Sequence, residues 1–442
     1  MTRRPNIIFI VADDLGFADL GCYGGRLAEF GPVSPVLDRL AAGGIRFTQG
    51  YSNSPVCSPT RFALMTARYQ YRLRGAAEEP INSRSRGSAT LGLPPEHPTL
   101  PSLLRSSGYR TALIGKWHLG YPPHFGPLRS GYEEFFGPMS GGVDYFTHAA
   151  TTGAHDLYEG DAEAPTEGYL TDLISRRAVD YIERCTTASS KEAPFFLSLH
   201  YTAPHWPWES RDDAAMAQEV SSNLFHLHGG NIHTYRRMIH HMDEGIGWVV
   251  QALEAAKVMD NTLIVFTSDN GGERFSDNWP LVGGKMDLTE GGIRVPWIAH
   301  WPAVIAPNAT SAQLCMTMDW SATMLDLAGV QPPAEFAPDG VSLKGVLKTS
   351  SYTFDRPLFW RMNHRGQRAC RLGAWKYLRV DGHDYLFNLE QDERERANLS
   401  QRQPERLTSM RHAWEAWNAS MPPIPEDATV SLGFSVKDMP QR

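Results

Sequence analysis

Four oxygen-bearing side chains stand at the ends of two apolar runs. Asp13 and Asp14 directly follow NIIFIVA (6–12), while Asp269 ends TLIVFTSD (262–269) and is followed by Asn270, Gly271 and Gly272. Adjacent carboxylates repel one another unless a cation lies between them. Three carboxylates and an amide are hard oxygen donors, which suit Ca²⁺ or Mg²⁺ better than zinc. Taken singly, each pair also fits ordinary structure: a helix cap or solvated turn for Asp13–Asp14, and common turn chemistry for Asp-Asn-Gly-Gly. A third feature is CSPTR (57–61), which opens the helical run RFALMTARY. Cys57 and Arg61 are four residues apart and share a helix face. A helix N-terminus attracts anions and lowers a thiol pKa, which predicts a reactive sulfur facing an anion. A packed thiol is the plainer alternative.

These residues need a scaffold that brings them together. NIIFIVA, YRTALIG (109–115), PFFLSLHY (194–201), TLIVFTSD and VPWIAHWP (295–302) read as strands covered on both faces. Helical patterns lie between them at 35–44, 99–108, 166–185 and 235–257. Strands alternating with helices predict an α/β domain, a mostly parallel sheet with helices on both faces. Ligands bind such sheets beyond the carboxyl ends of the strands, where Asp13, Asp14 and Asp269 stand. From about residue 345 the rhythm changes. RPLFWRM, QRACRLGAWKYLRV and HDYLFNLE read as short strands, followed by a helix at 403–418. The expected division is a catalytic unit at 1–345 and a smaller antiparallel α+β subdomain at 346–442, including a terminal extension from 419. The Gly-, Pro- and Ser-rich segments 75–98 and 138–168 read as long functional loops.

With 42 Lys and Arg against 49 Asp and Glu among 442 residues, the net charge is −7. This balance argues against nucleic acid or an anionic membrane as the main partner. No apolar run approaches the roughly 18 residues that span a bilayer, and Ile7–Ala12 is too short for a signal-peptide core. The expected location is therefore cytoplasmic. Five widely spaced cysteines make no CxxC and no disulfide framework. His226, His228, His233, His240 and His241 crowd one stretch without clean ligand spacing, and read as loop or surface histidines. Arg74, Arg84 and Arg86 read as solvated loop charge, with an acidic sugar polymer as the alternative ligand.

In order along the chain stand PNIIFIVADDLG (5–16), CSPTR, GYRTALIGKWHLG (108–120), TAPHWPW (202–208), SDNGG (268–272), GGKMDLTEGGIRVP (283–296) and YLFNLEQDERERANLS (385–400). With these motifs nearly the whole chain resembles the sulfatase family of the alkaline-phosphatase-like superfamily. The resemblance implies that Cys57 is oxidised to Cα-formylglycine by a formylglycine-generating maturation enzyme. The hydrated aldehyde would attack sulfur, leave a covalent sulfate hemiacetal, and expel sulfate by elimination. Asp13, Asp14, Asp269, Asn270 and residue 57 match the ligands of one divalent cation, Ca²⁺ before Mg²⁺ or Mn²⁺. Arg61 matches the arginine that steadies the modified residue. Lys116 would contact the hydrate and sulfate, and His118 would be the base for elimination. His205 and Lys285 would bind sulfate and assist the leaving group. Ser140 matches a sulfate-contacting residue of some relatives, and Asp144, Tyr145 and His148 are candidate pocket walls.

The implied activity is sulfate monoester hydrolysis. Without a signal segment, a small aryl or alkyl sulfate is favoured as substrate. A carbohydrate sulfatase and a phosphodiester or phosphonate monoester hydrolase of the same superfamily are the alternatives. Asp14 and Asn270 stand where phosphodiester-cleaving relatives tend to carry Gln and His. A catalytically inert binding protein is disfavoured, because every motif position holds a competent residue. The terminal extension is a candidate arm for covering the pocket or joining a second copy.

Overall fold

A computed structural model describes residues 4–25, 31–187, 193–220 and 229–432. His226, His228 and the last ten residues of the terminal extension lie outside the described residues.

The strand Asn6–Ala12 occupies the middle of a ten-stranded sheet. It pairs in parallel with Phe195–His200 on one side (Ile7 opposite Phe196) and Thr262–Ser268 on the other (Ile7 opposite Leu263). Arg110–Gly115 and Glu134–Gly137 extend the parallel array beyond Phe195–His200. From Ile7 to Ala12 the run is apolar at every position because both faces are covered. Ile8, Ile10 and Ala12 enter the core formed with helices Leu170–Cys185 and Ile232–Ala255. Ile7, Phe9 and Val11 enter the opposite core, with helices Cys57–Thr66, Leu100–Ser106 and Thr317–Ala328. Each of the Ile, Phe and Val side chains contributes about 1.5–3 kcal/mol by leaving water.

The VPWIAHWP run forms the strand Trp297–His300, which pairs antiparallel with Thr262–Ser268. The sheet is thus mostly parallel, as expected, with this run as an antiparallel member: burial on both faces, not strand direction, makes a run apolar. Tyr158–Glu159 and Ala162–Glu163 add a small antiparallel hairpin at the far edge, inside the segment read as loop.

Leu358–Arg361, Arg368–Leu372, Trp375–Val380 and His383–Asn388 form a separate antiparallel sheet in sequence order. Helix Pro404–Ala419 covers one face through Met410 and Trp414 against Cys370, Tyr377 and Leu386. The other face carries Trp360, Ala369, Leu378 and Phe387 into a core shared with Tyr51, Val56, Cys57, Met286 and Leu288. The small sheet therefore backs directly onto the CSPTR helix and the segment that carries Lys285. All five cysteines are free. Among the described residues no helix is long and apolar enough to cross a membrane.

Candidate active site

The two central strand ends are tied together by their backbones. The Asp269 N–H donates to the Ala12 carbonyl (3.1 Å), and the Asp13 N–H to the Ala203 carbonyl (3.0 Å). This brings Asp13, Asp14, Asp269 and Asn270 to one place, all four buried. The helix Cys57–Thr66 starts beside them with no side chain capping its N-terminus. Carboxylate oxygens of Asp13 and Asp269 and the Cys57 sulfur lie within 4.8 Å of one another. Oxygens of Asp13 and Asp14 and a ring nitrogen of His205 meet the same limit.

Three cations interlock with these carboxylates. Arg61 donates through Nε (3.0 Å) and Nη2 (2.9 Å) to Asp269 Oδ2, and through Nη1 to the Lys116 carbonyl (3.0 Å). Lys116 Nζ donates to Asp13 Oδ2, and Lys285 Nζ to Asp14 Oδ2 at 2.6 Å. Arg61 thus joins the helix, a strand end and the Lys116 turn. The strand that precedes Lys116 ends at Gly115, so Lys116 and His118 lie in the turn beyond it, and His118 has a φ of +59°.

The histidines are neutral bases. Burial drives the imidazoles of His118 and His205 well below their usual pKa, and the nearby lysines add to the shift. His118 Nε2 lies 2.6 Å from the Ile81 carbonyl, which can only accept. That contact places the proton on Nε2 and leaves Nδ1, buried and without a partner, as the basic atom. His205 Nδ1 likewise faces the Trp206 carbonyl (2.6 Å), which turns Nε2 toward Asp14 Oδ2 at 3.5 Å.

The thiol behaves otherwise than the helix position predicts. Burial pushes Cys57 up to about 11, against the pull of Lys116 and Lys285. Desolvation outweighs the helix terminus here, so at neutral pH the unmodified sulfur is a thiol and a weak nucleophile.

The oxygen set fits a divalent cation. Asn270 donates its amide hydrogens to Asp14 Oδ1 (2.7 Å) and the Gly271 carbonyl (2.9 Å), while its Oδ1 is buried without a hydrogen bond. Asp13 Oδ1 is likewise buried and unpartnered. Each such acceptor costs about 1–3 kcal/mol unless something positive meets it. Burial, followed by the like charge of Asp269, pushes Asp13 well above the carboxylate range. Burial also acts on Asp14, yet Lys285 and His205 hold it at about 2. A hard cation would satisfy both orphaned oxygens and keep Asp13 ionised.

The remaining candidates sit around this centre. Ser140 is buried, with its N–H on Asp156 Oδ2 (2.8 Å) and its Oγ accepting from the Tyr121 hydroxyl (3.2 Å). The next residue, Gly141, lies so close to the His118 ring that a Cβ would not fit. Asp144 Oδ1 instead accepts from the N–H groups of Phe146 (2.9 Å) and Thr147 (2.6 Å), so that oxygen shapes a turn. The Tyr145 hydroxyl lies 2.9 Å from both the Thr202 and His205 carbonyls, which supports the His205 loop. His148 faces the Gly168 carbonyl (3.0 Å). Of the loop arginines, Arg74 pairs with Glu78 and Asp427, and Arg86 with Asp156. His233 lies on the helix Ile232–Ala255 with His240 and His241, rather than in a loop. Sequence reasoning missed His200, whose Nδ1 is 3.3 Å from Arg61 Nη1. Its place at a strand's carboxyl end was the available signal.

Residues 5–330 match the sulfatase family, and residues 284–411 match the C-terminal region of N-sulphoglucosamine sulphohydrolase. The chain belongs to the sulfatase family. It is 33% identical to human N-acetylgalactosamine-6-sulfatase over 399 residues, covering 85% of this chain and 71% of that protein. It is 27% identical to N-acetylgalactosamine-6-O-sulfatase of Bacteroides thetaiotaomicron, covering 91% of each. The structure of Ps i-CgsB in complex with k-i-k-neocarrahexaose superposes with a TM-score of 0.82 at 33% identity, covering 94% of this chain and 93% of that one. This sulfatase is therefore a sulfuric ester hydrolase, and its oxygen cluster suits the divalent metal that sulfatases generally use.

Proposed function

We propose that this sulfatase removes sulfate from sulfated sugars, with formylglycine at position 57 as the nucleophile and Ca²⁺ at the oxygen cluster. One observation carries the reaction: Cys57, three buried cations and two neutral histidines converge on an oxygen set with two unsatisfied acceptors. The sugar preference rests on the relatives, two of which are named for N-acetylgalactosamine sulfatases and one of which is complexed with a neocarrahexaose. It takes precedence over small aryl or alkyl sulfates, which stand as the alternative substrates.

The metal, when bound, would be held by Asp13, Asp14, Asp269, Asn270 and residue 57, and would supply positive charge that polarises the nucleophile's oxygen. Formylglycine supplies a hydrate where the thiol, pushed up to about 11, supplies little thiolate. Lys116 and Lys285 hold positive charge where the SO₃ group develops negative charge. Lys285, held charged beside Asp14, donates to the leaving oxygen, and His205, whose proton lies on Nδ1, lines the same side of the site. His118, with Nδ1 unprotonated, takes up the proton released when sulfate departs. Residues 1–345 would carry this chemistry and 346–442 would support it from behind.

The test is the mass of the tryptic peptide 47–61 from a host with a formylglycine-generating enzyme, paired with sulfate release from sulfated N-acetylgalactosamine, an aryl sulfate and a phosphodiester. A peptide lighter by about one water, with the sugar sulfate turned over at the highest kcat/KM, supports the proposal. An unshifted mass, or a phosphodiester preferred over every sulfate, overturns it.

A further inference from the structure

We propose that the C-terminal segment Asp427–Leu432 is a positioning element of the active site, acting on His118 through Ile81. The proposal rests on the reading of His118 as the base.

Ile81 is a hinge between two site elements. Its carbonyl meets His118 Nε2 at 2.6 Å, and its N–H donates to the Ser58 hydroxyl at 2.9 Å, one residue from Cys57. Whatever fixes Ile81 therefore fixes both the proton-accepting ring and the first turn of the nucleophile's helix. The three residues before Ile81 are held largely by residues far away in sequence. Glu79 N–H donates to the Thr429 carbonyl (2.9 Å), and Ser431 N–H returns to the Glu79 carbonyl (3.0 Å), so the two segments pair like neighbouring strands. Val430 forms a parallel bridge to Glu79. The Ser431 hydroxyl donates to the Pro80 carbonyl at 2.6 Å, the group immediately before Ile81. The Thr429 hydroxyl donates to Glu78, and Arg74 spans Glu78 (2.6 Å) and Asp427 (3.0 Å). From the other side, both carboxylate oxygens of Glu79 accept backbone N–H groups, of Asn363 (2.7 Å) and His364 (2.8 Å) in the small sheet's first connection.

His118 needs such support. Its φ of +59° is uncommon for a residue with a Cβ and persists only where surrounding contacts impose it. Its one ring hydrogen bond is the one to Ile81, so a shift of that carbonyl frees the ring to exchange tautomers and lose its basic Nδ1. Here the buttress is an extended arm from the far end of the chain.

The experiment uses the full chain with Ser431→Pro, which removes the N–H and the hydroxyl together, and Ser431→Thr, which keeps both. In protein whose Cys57 is unconverted, hydrogen exchange at the Ile81 amide is expected to quicken about 10-fold or more in Ser431→Pro. The nitrogen NMR shifts of His118 should change from a single Nε2–H tautomer to a mixture. In converted enzyme kcat should fall about 5- to 30-fold with KM within about twofold, a loss in the range of a misplaced acid–base group. Ser431→Thr should restore all three. An Ile81 amide and a His118 tautomer that are unchanged in Ser431→Pro overturn the proposal, as does a loss shared equally by kcat, KM and the folded fraction. If the wild-type enzyme hydrolyses no sulfate ester, the functional reading fails while exchange and tautomer still decide the positioning.

Discussion

Two of the molecule's clusters of buried charge are joined by one segment, and the two are built to different ends. At one end of the segment 283–296 stands Lys285 with the carboxylates of the active site. Five residues on stands Glu290, at the centre of a second cluster between the main sheet and the small one. There Glu290 lies 3.0 Å from Lys376, accepts from the Tyr51 hydroxyl (2.7 Å), and faces Arg371 (3.6 Å) and Arg294 (3.8 Å). Lys376 also lies 2.8 Å from Glu395, whose other oxygen accepts the Glu290 N–H at 2.6 Å. Both oxygens of Glu290 are met by protein. In the active site Asp13 Oδ1 and Asn270 Oδ1 are met by nothing. Burial of charge is common to both clusters, so burial does not mark function. Unpaired acceptors alone do not mark it either, since Glu395 Oε1 in the second cluster also lacks a hydrogen bond; what sets the active site apart is that two such oxygens, on Asp13 and Asn270, stand beside Cys57 and the buried cations.

The largest effects should separate the clusters. Asp13→Asn or Cys57→Ala is expected to lower kcat/KM at least about 10³-fold, since each removes a metal ligand or the nucleophile itself. Cys57→Ala should lower thermal stability little in metal-free protein, and Asp13→Asn less than Glu290→Gln does, because the loss of its ion pair with Lys116 is offset by relief of the repulsion with Asp269 and Asp14. Chelation should abolish turnover and Ca²⁺ should restore it, read by sulfate release. Glu290→Gln and Lys376→Met should do the reverse. Removing one member of a buried pair strands the other, at about 3–5 kcal/mol. Denaturant unfolding measures that loss, while kcat of the protein that remains folded should change little. If Asp13→Asn unfolds the protein, or Glu290→Gln abolishes turnover in folded protein, the contrast between the clusters is wrong.

The active site was the more legible of the two in sequence, for a physical reason. Adjacent carboxylates and an amide at strand ends are unusual residue types for such places, so Asp13, Asp14, Asp269 and Asn270 stand out even before the chain is folded. The long apolar strands were equally plain, because coverage on both faces leaves few polar positions. The second cluster was invisible. Glu290, Arg294 and Glu395 lie in segments that carry the family resemblance and Lys376 in a short strand, but nothing in their types or spacing pairs them, and only packing of the small sheet onto the main domain brings them together out of water. The role of Ile81 was hidden for another reason: it acts through backbone groups, which every residue possesses. The thiol pKa was misread because helix position is written in sequence and desolvation is not.

A smaller effect tests the second cluster by pH. Burial pushes Glu395 up to about 7, against the pull of Lys376. The unfolded side chain titrates near 4.3, so between that value and 7 the folded state binds more protons than the unfolded one. This contribution to stability is complete below the unfolded pKa, declines as pH rises toward 7, and is gone above it. Glu395→Gln should flatten the decline by at most about 1.4 kcal/mol per pH unit, read by denaturant unfolding at pH 5, 6, 7 and 8. An unaltered slope would mean that Glu395 stays ionised in the folded protein, and that Lys376 outweighs burial.

The smallest effect belongs to the histidines that draw the eye. His240 and His241 are adjacent on a helix and so point about 100° apart, which prevents them from sharing a ligand. His240 is 41% exposed and faces Glu244 at 3.6 Å, while His241 is buried and accepts from the Arg211 N–H at 3.3 Å. His240→Ala should leave metal content unchanged, and stability within about 0.5 kcal/mol, as for most surface substitutions. Elemental analysis of the purified protein decides it. A metal lost with His240 would show that histidine density, and not orphaned oxygen, marks the cation in this fold. Metal retained there and lost in Asp13→Asn would leave the two unsatisfied oxygens as the better guide.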